Sequence, residues 1–182
     1  MSSRYEMRFS GAGGQGLILA GIIMGEAAAI YDGKQAVQSQ SYGPEARGGA
    51  SKSEVIISDQ PIDFPKATAV DALLALTQEA CDKYSSDLKS GGVLLIDSDL
   101  VKNAPAGDFT VVRIPIISTA KNEVGRAIVA NIVALGAMVA LTKAVTRESA
   151  ERAVLSRVPA AFSELNRKAF QMGYEKAIAA RK

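Results

Sequence analysis

The stretch Gly11-Ala12-Gly13-Gly14-Gln15-Gly16 separates a run with strand character, residues 5–10, from a run with helix character, residues 17–31. Its glycines follow the spacing G-x-G-x-x-G, which is typical of a tight turn from a strand into a helix. The first two glycines are expected to make the turn, and the third to let helix and strand pack closely. The first N–H groups of a helix lack partners within it, so they converge and favour an anion. A phosphate group is the natural ligand for such a turn, and the residues expected to bind it are Gly11, Gly13, Gly14, Gln15 and Gly16.

Three interpretations of this glycine-rich turn remain open from the residues alone. An NAD-binding domain would place an acidic residue about 20 positions further on, at the end of the second strand, to hold a ribose. Asp32 has roughly that separation but precedes the second strand, whose own end carries Gln38 and Ser39. The turn could instead hold an anion other than NAD, or it could serve only to pack the domain tightly.

Strand-like and helix-like runs alternate along the rest of the chain. The predicted strands are residues 5–10, 34–39, 53–58, 69–76, 93–97 and 110–114, and the predicted helices are residues 17–31, 78–88, 124–143, 147–157 and 160–180. Gly91 and Gly92 are expected to interrupt the chain before the fifth strand. The alternation predicts an α/β fold: one domain over residues 1–182, Rossmann-like and three-layered, with a mainly parallel sheet and a helical C-terminal segment.

Composition excludes several classes of function. The net charge is +2 and only 5% of the 182 residues are aromatic, so neither a basic field nor a stacking surface indicates nucleic acid as a partner. There is one cysteine, Cys81, and no histidine. An internal disulfide, a four-cysteine iron–sulfur site and a histidine-based triad are therefore impossible, and zinc would lack its usual ligands. Cys81 is expected to be a core residue, and no catalytic or metal-binding residue is assigned.

No segment of the sequence predicts a membrane anchor. Residues 1–6 lack the apolar core of a signal peptide. The longest nearly apolar stretch, residues 127–141, is broken by Asn131 and is shorter than the roughly 20 residues that span a bilayer. We therefore expect a cytoplasmic protein in which this stretch is a helix buried in the core or against another subunit.

A second unusual segment is the polar loop Ser41-Tyr42-Gly43-Pro44-Glu45-Ala46-Arg47-Gly48-Gly49-Ala50-Ser51. Its proline and glycines exclude a helix or a central strand, and such loops often carry binding residues. Because it follows the second strand, it is expected beside the glycine-rich turn, where Arg47 would direct a guanidinium towards the anion. Glu45 could instead pair with Arg47 and neutralise it. The residues expected to contact a ligand or partner are Ser41, Tyr42, Gly43, Pro44, Glu45, Gly48 and Gly49.

The glycine-rich turn, the polar loop, and Asn131 followed by Ala134-Leu135-Gly136 resemble the gamma subunit of 2-oxoacid:ferredoxin oxidoreductases. The resemblance covers nearly the whole chain and preserves the order of the motifs. It implies a Rossmann-like subunit beside the active site of a complex that oxidatively decarboxylates a 2-oxoacid. Coenzyme A is the co-substrate, and the products are an acyl-CoA, carbon dioxide and reduced ferredoxin.

The same resemblance implies how cofactors and partners are distributed. Thiamine diphosphate with magnesium would lie between alpha and beta subunits, iron–sulfur clusters in beta or delta subunits, and no cofactor in this chain. Partners would be the alpha, beta and possibly delta subunits, with ferredoxin reached through the complex. The turn and Arg47 would meet a phosphate of coenzyme A. Among pyruvate, 2-oxoglutarate, branched-chain and indolepyruvate enzymes, the compact separate chain favours 2-oxoglutarate. A stand-alone nucleotide-binding enzyme and a purely structural interface subunit are the alternatives.

Overall fold

The computed structural model describes residues 4–41 and 49–181. One six-stranded sheet has the order β2-β3-β1-β4-β5-β6, formed by β1 (Arg4–Ala12), β2 (Gln35–Ser41), β3 (Ala50–Ser58), β4 (Val70–Ala75), β5 (Leu88–Asp97) and β6 (Phe109–Ile114). The α-helices are α1 (Leu17–Glu26), α2 (Gln78–Tyr84), α3 (Ile116–Ser118), α4 (Ala130–Thr142), α5 (Arg147–Arg157) and α6 (Ser163–Ala180). π-Helical turns extend α1 over Ala27–Tyr31 and α3 over Thr119–Val124, and 3₁₀ turns precede α4 at Ala127–Val129 and α6 at Ala160–Phe162.

The sheet is mainly parallel, as predicted, but one strand runs against the others. β1 pairs with β4, β4 with β5 and β5 with β6 in parallel, whereas β3 is antiparallel to both β1 and β2. Ala12 at the end of β1 faces Ala50 at the start of β3, and Ser41 at the end of β2 faces Lys52. The ends of β1 and β2 therefore lie together, at what we call the carboxyl end of the sheet.

Helices cover both faces of the sheet, which confirms the three-layer arrangement. On one face α1, α4, α5 and α6 form the larger core with sheet residues such as Phe9 and Leu74. On the other face α2 packs Cys81 against Leu73 and Leu94. Cys81 is fully buried, and burial raises the pKa of its thiol, so it is a core residue as expected.

Most of the apolar stretch at residues 127–141 belongs to the larger core. Every residue of α4 from Ala130 to Leu141 is buried, and α6 packs along it. Glycines make this contact close: a Cβ atom added to Gly173 would lie 2.7 Å from the carbonyl carbon of Val133, and one added to Gly136 would lie 2.9 Å from that of Phe170. Residues 130–141 are therefore core within this chain, whereas Ile128 just before them is exposed.

Three predicted boundaries were wrong, and two of the errors lie at glycines. Gly91 and Gly92 do not interrupt the chain but lie inside β5, where Gly91 has a φ of 75° and the register with β4 shifts. The helix predicted over residues 124–143 is broken at Gly125, whose φ is 102°, and α4 begins only at Ala130. α2 ends at Tyr84, before the predicted residue 88.

A buried ion cluster joins β1 to its surroundings. Arg8 is 3% exposed and donates to Glu54 Oε1 at 2.8 Å and to Asp87 Oδ2 at 2.7 Å. Burial alone would lower the pKa of the Arg8 guanidinium, but Asp87 and Glu54 outweigh it and raise that pKa. The same contacts hold the pKa of Asp87 below its usual value, against the opposing effect of its own burial. Both shifts favour the charged forms of Arg8 and Asp87 in the folded protein.

Within residues 4–41 and 49–181, no helix combines the length and the apolar character that crossing a bilayer requires.

Candidate functional site

The glycine-rich turn lies at the carboxyl end of the sheet, but its glycines divide their roles differently from the prediction. β1 continues through Gly11 and Ala12, so the turn itself spans residues 13–16. Gly14 and Gly16 have φ values of 87° and 74°, the left-handed conformation that glycine adopts without strain. The turn is therefore made by Gly14 and Gly16, whereas Gly11 and Gly13 were expected to make it.

Gly11 is required for a different reason, because Gln15 folds back over it. A Cβ atom on Gly11 would collide with the Gln15 side chain and would lie 2.8 Å from Leu17. Gln15 Oε1 accepts a hydrogen bond from the Ala12 N–H at 2.8 Å, which closes the turn. The Gln15 amide nitrogen has no hydrogen-bond partner among the described residues, so it remains able to donate to a ligand.

Gly16 brings the turn against α4, whereas the third glycine was expected to bring the helix against its strand. A Cβ atom on Gly16 would lie 2.6 Å from Nδ2 of Asn131, which donates to the Gly16 carbonyl at 3.2 Å. Asn131 is 5% exposed and lies in the first turn of α4. The position of the turn is therefore fixed by a residue more than a hundred positions away.

The N-terminus of α1 has no side-chain cap. Gly16 occupies the N-cap position, and no acidic residue lies in the first turn. α2 and α5, by contrast, are capped by Thr77 and Thr146. The positive end of the α1 dipole therefore remains available to an anion, which is the condition that the anion interpretation requires.

The described ends of the polar loop lie beside the turn. The Gly49 carbonyl accepts a hydrogen bond from the Gly13 N–H at 3.3 Å, and Ser41 lies on β2 opposite Lys52. The described ends of the loop therefore share one end of the sheet with the turn, as expected. The other loop residues with predicted roles lie outside the described residues: Tyr42, Gly43, Pro44, Glu45, Arg47 and Gly48.

A cleft of about 770 Å³ opens next to the turn, and the sequence did not predict it. Gly14, Gln15 and Gly16 form one end, and most of the remaining wall is apolar, with Ile128 and Phe162 as exposed hydrophobic residues of the lining. Ile128 is 84% exposed. The apolar walls are contributed by Leu19, Leu76, Ile117, Ala127, Val129, Ala130, Ile132, Val158, Pro159 and Leu165.

The polar groups of this cleft are hydrogen-bond donors or amides. Besides Gln15 and the turn, they are Arg126, Asn131 and Asn166. Arg126 is exposed and forms no ion pair with any carboxylate of the described residues. No cluster of three or more metal-ligating side chains occurs in the described part of the chain. The cleft is therefore suited to a ligand that is anionic at one end and apolar along its length.

Asp32, which has roughly the separation expected of a ribose-binding acid, lies at the opposite end of the sheet. Its oxygens accept hydrogen bonds from the Thr146 N–H at 2.8 Å and from Ser149 Oγ at 2.5 Å. Although burial would raise the pKa of Asp32, these bonds and Lys34 lower it. Asp32 therefore joins the π-helical extension of α1 to the start of α5, and it cannot be the acidic residue that the NAD interpretation requires.

Comparison with known proteins gives consistent matches over almost the whole chain. The family described as pyruvate ferredoxin/flavodoxin oxidoreductase matches residues 6–176. The 2-oxoglutarate synthase subunit KorC of Methanocaldococcus jannaschii is 58% identical over 174 residues, which cover 94% of this chain and 93% of that protein.

Two solved structures share the fold. The gamma subunit of a keto/oxoacid ferredoxin oxidoreductase from Geobacter sulfurreducens is 75% identical, with a TM-score of 0.93 over 98% of this chain and 99% of that one. A 2-oxoglutarate:ferredoxin oxidoreductase from Magnetococcus marinus matches with a TM-score of 0.86 over 98% of this chain and 32% of that one; at 22% identity this likeness shows the fold alone. The chain therefore belongs to the pyruvate ferredoxin/flavodoxin oxidoreductase family, in which it corresponds to the gamma subunit of a 2-oxoacid:ferredoxin oxidoreductase.

Proposed function

We propose that this chain is the gamma subunit of a 2-oxoglutarate:ferredoxin oxidoreductase and that it forms part of the coenzyme A site. Sequence identity supports 2-oxoglutarate as the substrate, because it is 58% with a 2-oxoglutarate synthase subunit but 31% with the pyruvate synthase subunit PorC of Methanothermobacter thermautotrophicus. The Magnetococcus enzyme with the same fold binds 2-oxoglutarate, coenzyme A and succinyl-CoA. The reaction would convert 2-oxoglutarate and coenzyme A into succinyl-CoA and carbon dioxide while ferredoxin is reduced.

The observation that carries the coenzyme A proposal is the junction of the glycine-rich turn with the apolar cleft. Coenzyme A has a diphosphate at one end of a long, partly apolar pantetheine arm. The uncapped N-terminus of α1 would receive a phosphate group, with donors from the turn and from Gln15. The arm would lie along the cleft, and the Arg126 guanidinium would add a charge-assisted contact.

The redox and decarboxylation chemistry is proposed to lie in partner chains. Thiamine diphosphate with magnesium is placed between alpha and beta subunits, and iron–sulfur clusters in beta or delta subunits, on the basis of the family resemblance. The single cysteine, Cys81, is buried and cannot supply four thiolate ligands. The complex is proposed to act in the cytoplasm and to pass electrons to ferredoxin.

Arg126→Gln tests the coenzyme A role in a complex reconstituted with the partner subunits. The apparent KM for coenzyme A should rise about tenfold, since one charge-assisted contact is lost, while the KM for 2-oxoglutarate stays unchanged. Arg152→Gln is the matched control, because Arg152 is exposed, lies over the Tyr31 ring and does not line the cleft. Equal KM values for coenzyme A in both variants, with full assembly, would contradict the role of the cleft.

Arg47→Ala makes the corresponding test of the polar loop. The sequence places Arg47 between segments that meet beside the turn, so its loss should also raise the apparent KM for coenzyme A. An unchanged KM in a fully assembled complex would remove Arg47 from the site without affecting the proposal for Arg126.

The substrate is tested by ferredoxin reduction in the same complex. Turnover per active site should be much greater with 2-oxoglutarate than with pyruvate or a branched-chain oxoacid. A preference for pyruvate would overturn the substrate assignment and leave the gamma-subunit assignment intact.

A purely structural role is the second candidate, and the exposure of Ile128 and Phe162 favours it. In that case partner side chains fill the cleft, and Ile128→Ser weakens assembly, measured by analytical ultracentrifugation. Arg126→Gln would then change neither KM, which separates this role from coenzyme A binding.

A further inference from the structure

A second cavity lies at the end of the sheet opposite the glycine-rich turn. It has a volume of about 410 Å³ and lies between the segment that precedes β2, the link from α4 to α5, and α6. Its lining residues are Asp32, Lys34, Val139, Lys143, Val145, Thr146, Arg147 and Tyr174. None of them belongs to the cleft described above.

The cavity carries a surplus of positive charge. Lys34, Lys143 and Arg147 come from two separate segments, and none of them forms an ion pair with a carboxylate in residues 4–41 or 49–181. The one carboxylate of the lining, Asp32, is already bound by the Thr146 N–H, the Thr146 hydroxyl and Ser149 Oγ. Asp32 thus occupies the N-terminus of α5, while the three cations retain two uncompensated charges.

Two of these cations are held in place before any ligand arrives. Lys34 Nζ donates to the Ala144 carbonyl at 2.9 Å, and the Arg147 guanidinium lies 4.7 Å from the centre of the Tyr174 ring. Lys143 ends α4 with a φ of 51°, the only positive φ of a non-glycine residue in the described chain. Like charges gathered at a cavity repel one another, so an anion with several negative groups would relieve this repulsion.

We propose that this cavity, formed by Lys34, Lys143 and Arg147 with Tyr174 as one wall, binds a small molecule that carries two or more phosphate or carboxylate groups. Val139 and Val145 provide an apolar surface for the part of the ligand between its charges. The volume limits the ligand to a small metabolite. The site lies apart from the proposed coenzyme A site, and either could exist without the other.

The test is titration of the ¹⁵N-labelled full chain with inorganic pyrophosphate and, separately, with glutarate, followed by amide chemical shifts. Saturable amide shifts are expected at Gly33, Val145 and Thr146 with at least one of the two probes. A response to pyrophosphate alone would indicate a phosphate ligand. A response to glutarate alone would indicate a dicarboxylate ligand. The paired variant Lys143→Gln with Arg147→Gln should weaken binding at least about tenfold. The single variant Lys143→Gln, which changes only an exposed side chain, should also weaken binding, but by less than the paired variant.

Lys121→Gln is the matched control, because Lys121 is exposed and does not line the cavity. An equal loss of affinity in this control would indicate general charge attraction and overturn the proposal. So would unchanged affinity in the Lys143 and Arg147 variants, or saturable shifts confined to Gly14 and Gly16. The last result would support an anion at the glycine-rich turn, so the two sites are tested independently.

Discussion

Replacing Gly173 with alanine tests the close contact between α4 and α6. The added Cβ atom would lie 2.7 Å from the carbonyl carbon of Val133 and 3.0 Å from its Cα, whereas ordinary contacts begin near 3.4 Å. The obstructing atoms belong to the backbone of a buried helix, so they cannot rotate away. The two helices would have to separate by several tenths of an ångström along a packed interface.

The expected loss of stability follows from two opposing effects. Overpacking a core costs about 1–3 kcal/mol, and a backbone clash belongs at the upper end of that range. Alanine recovers up to about 1 kcal/mol through its higher helix propensity. The net change is a loss of about 2 kcal/mol in the free energy of unfolding, or about 4–8 °C in Tm for a domain of this size.

Gly25→Ala provides the matched control, because it is the same substitution inside a helix with room for the new atom. The nearest atom to its added Cβ would be Gln38 Cβ at 3.9 Å, an ordinary contact. This variant should gain about 0.5–1 kcal/mol. Thermal and urea unfolding, followed by far-ultraviolet circular dichroism, measure both. If Gly173→Ala were as stable as Gly25→Ala, the reasoning about the α4–α6 contact would be refuted.

Three further predictions concern ionisable groups. Arg8→Met should lower the free energy of unfolding by about 3 kcal/mol, because Glu54 and Asp87 lose their shared cation. Urea unfolding measures this change, and Arg157→Gln, which breaks an exposed ion pair, is the control. A loss of stability in Arg8→Met no greater than in this control would count against the prediction. Because the folded pKa of Asp87 is lowered, the unfolded chain binds more protons in acid, and stability should fall as the pH drops below about 4. Arg8→Met should make this acid-dependent loss of stability less steep. If the loss were equally steep in the variant, other carboxyl groups would be its source. Burial raises the pKa of Tyr5 from 10.0 to about 12, so the folded state keeps a proton that the unfolded state releases, and stability should decline by up to about 3 kcal/mol across that interval. Tyr5→Phe should remove the decline, and an equally steep one in the variant would exclude Tyr5 as its source.

The parts of the fold that depend on local signals were predictable from the sequence. The strand, turn and helix around Gly11–Gly16 follow from glycine spacing and hydrophobic pattern within about 25 residues. The bounds of α5, residues 147–157, were confirmed, because Thr146 supplies a cap that the sequence shows directly. Burial of Cys81 was predicted because an unpaired cysteine in a helix usually behaves as a small core residue.

The features that the sequence did not reveal depend on distant contacts. The antiparallel direction of β3 is set by pairing with β1 and β2, which no local pattern encodes. The cleft combines the turn with Ile128 and Phe162, and only the folded chain brings these together. Asp32 was interpreted as part of a helix-ending turn, yet its partners lie 114 and 117 residues further along.

The reactivity of the single thiol, Cys81, also offers a measure of local opening in this chain. A reagent such as a maleimide can reach that sulfur only when α2 lifts from the sheet, so the labelling rate reports how often the layer opens. A second cysteine placed at an exposed position would react at once, and the two rates would be resolved in a single time course. Adding the partner subunits would slow the labelling of any cysteine that they cover.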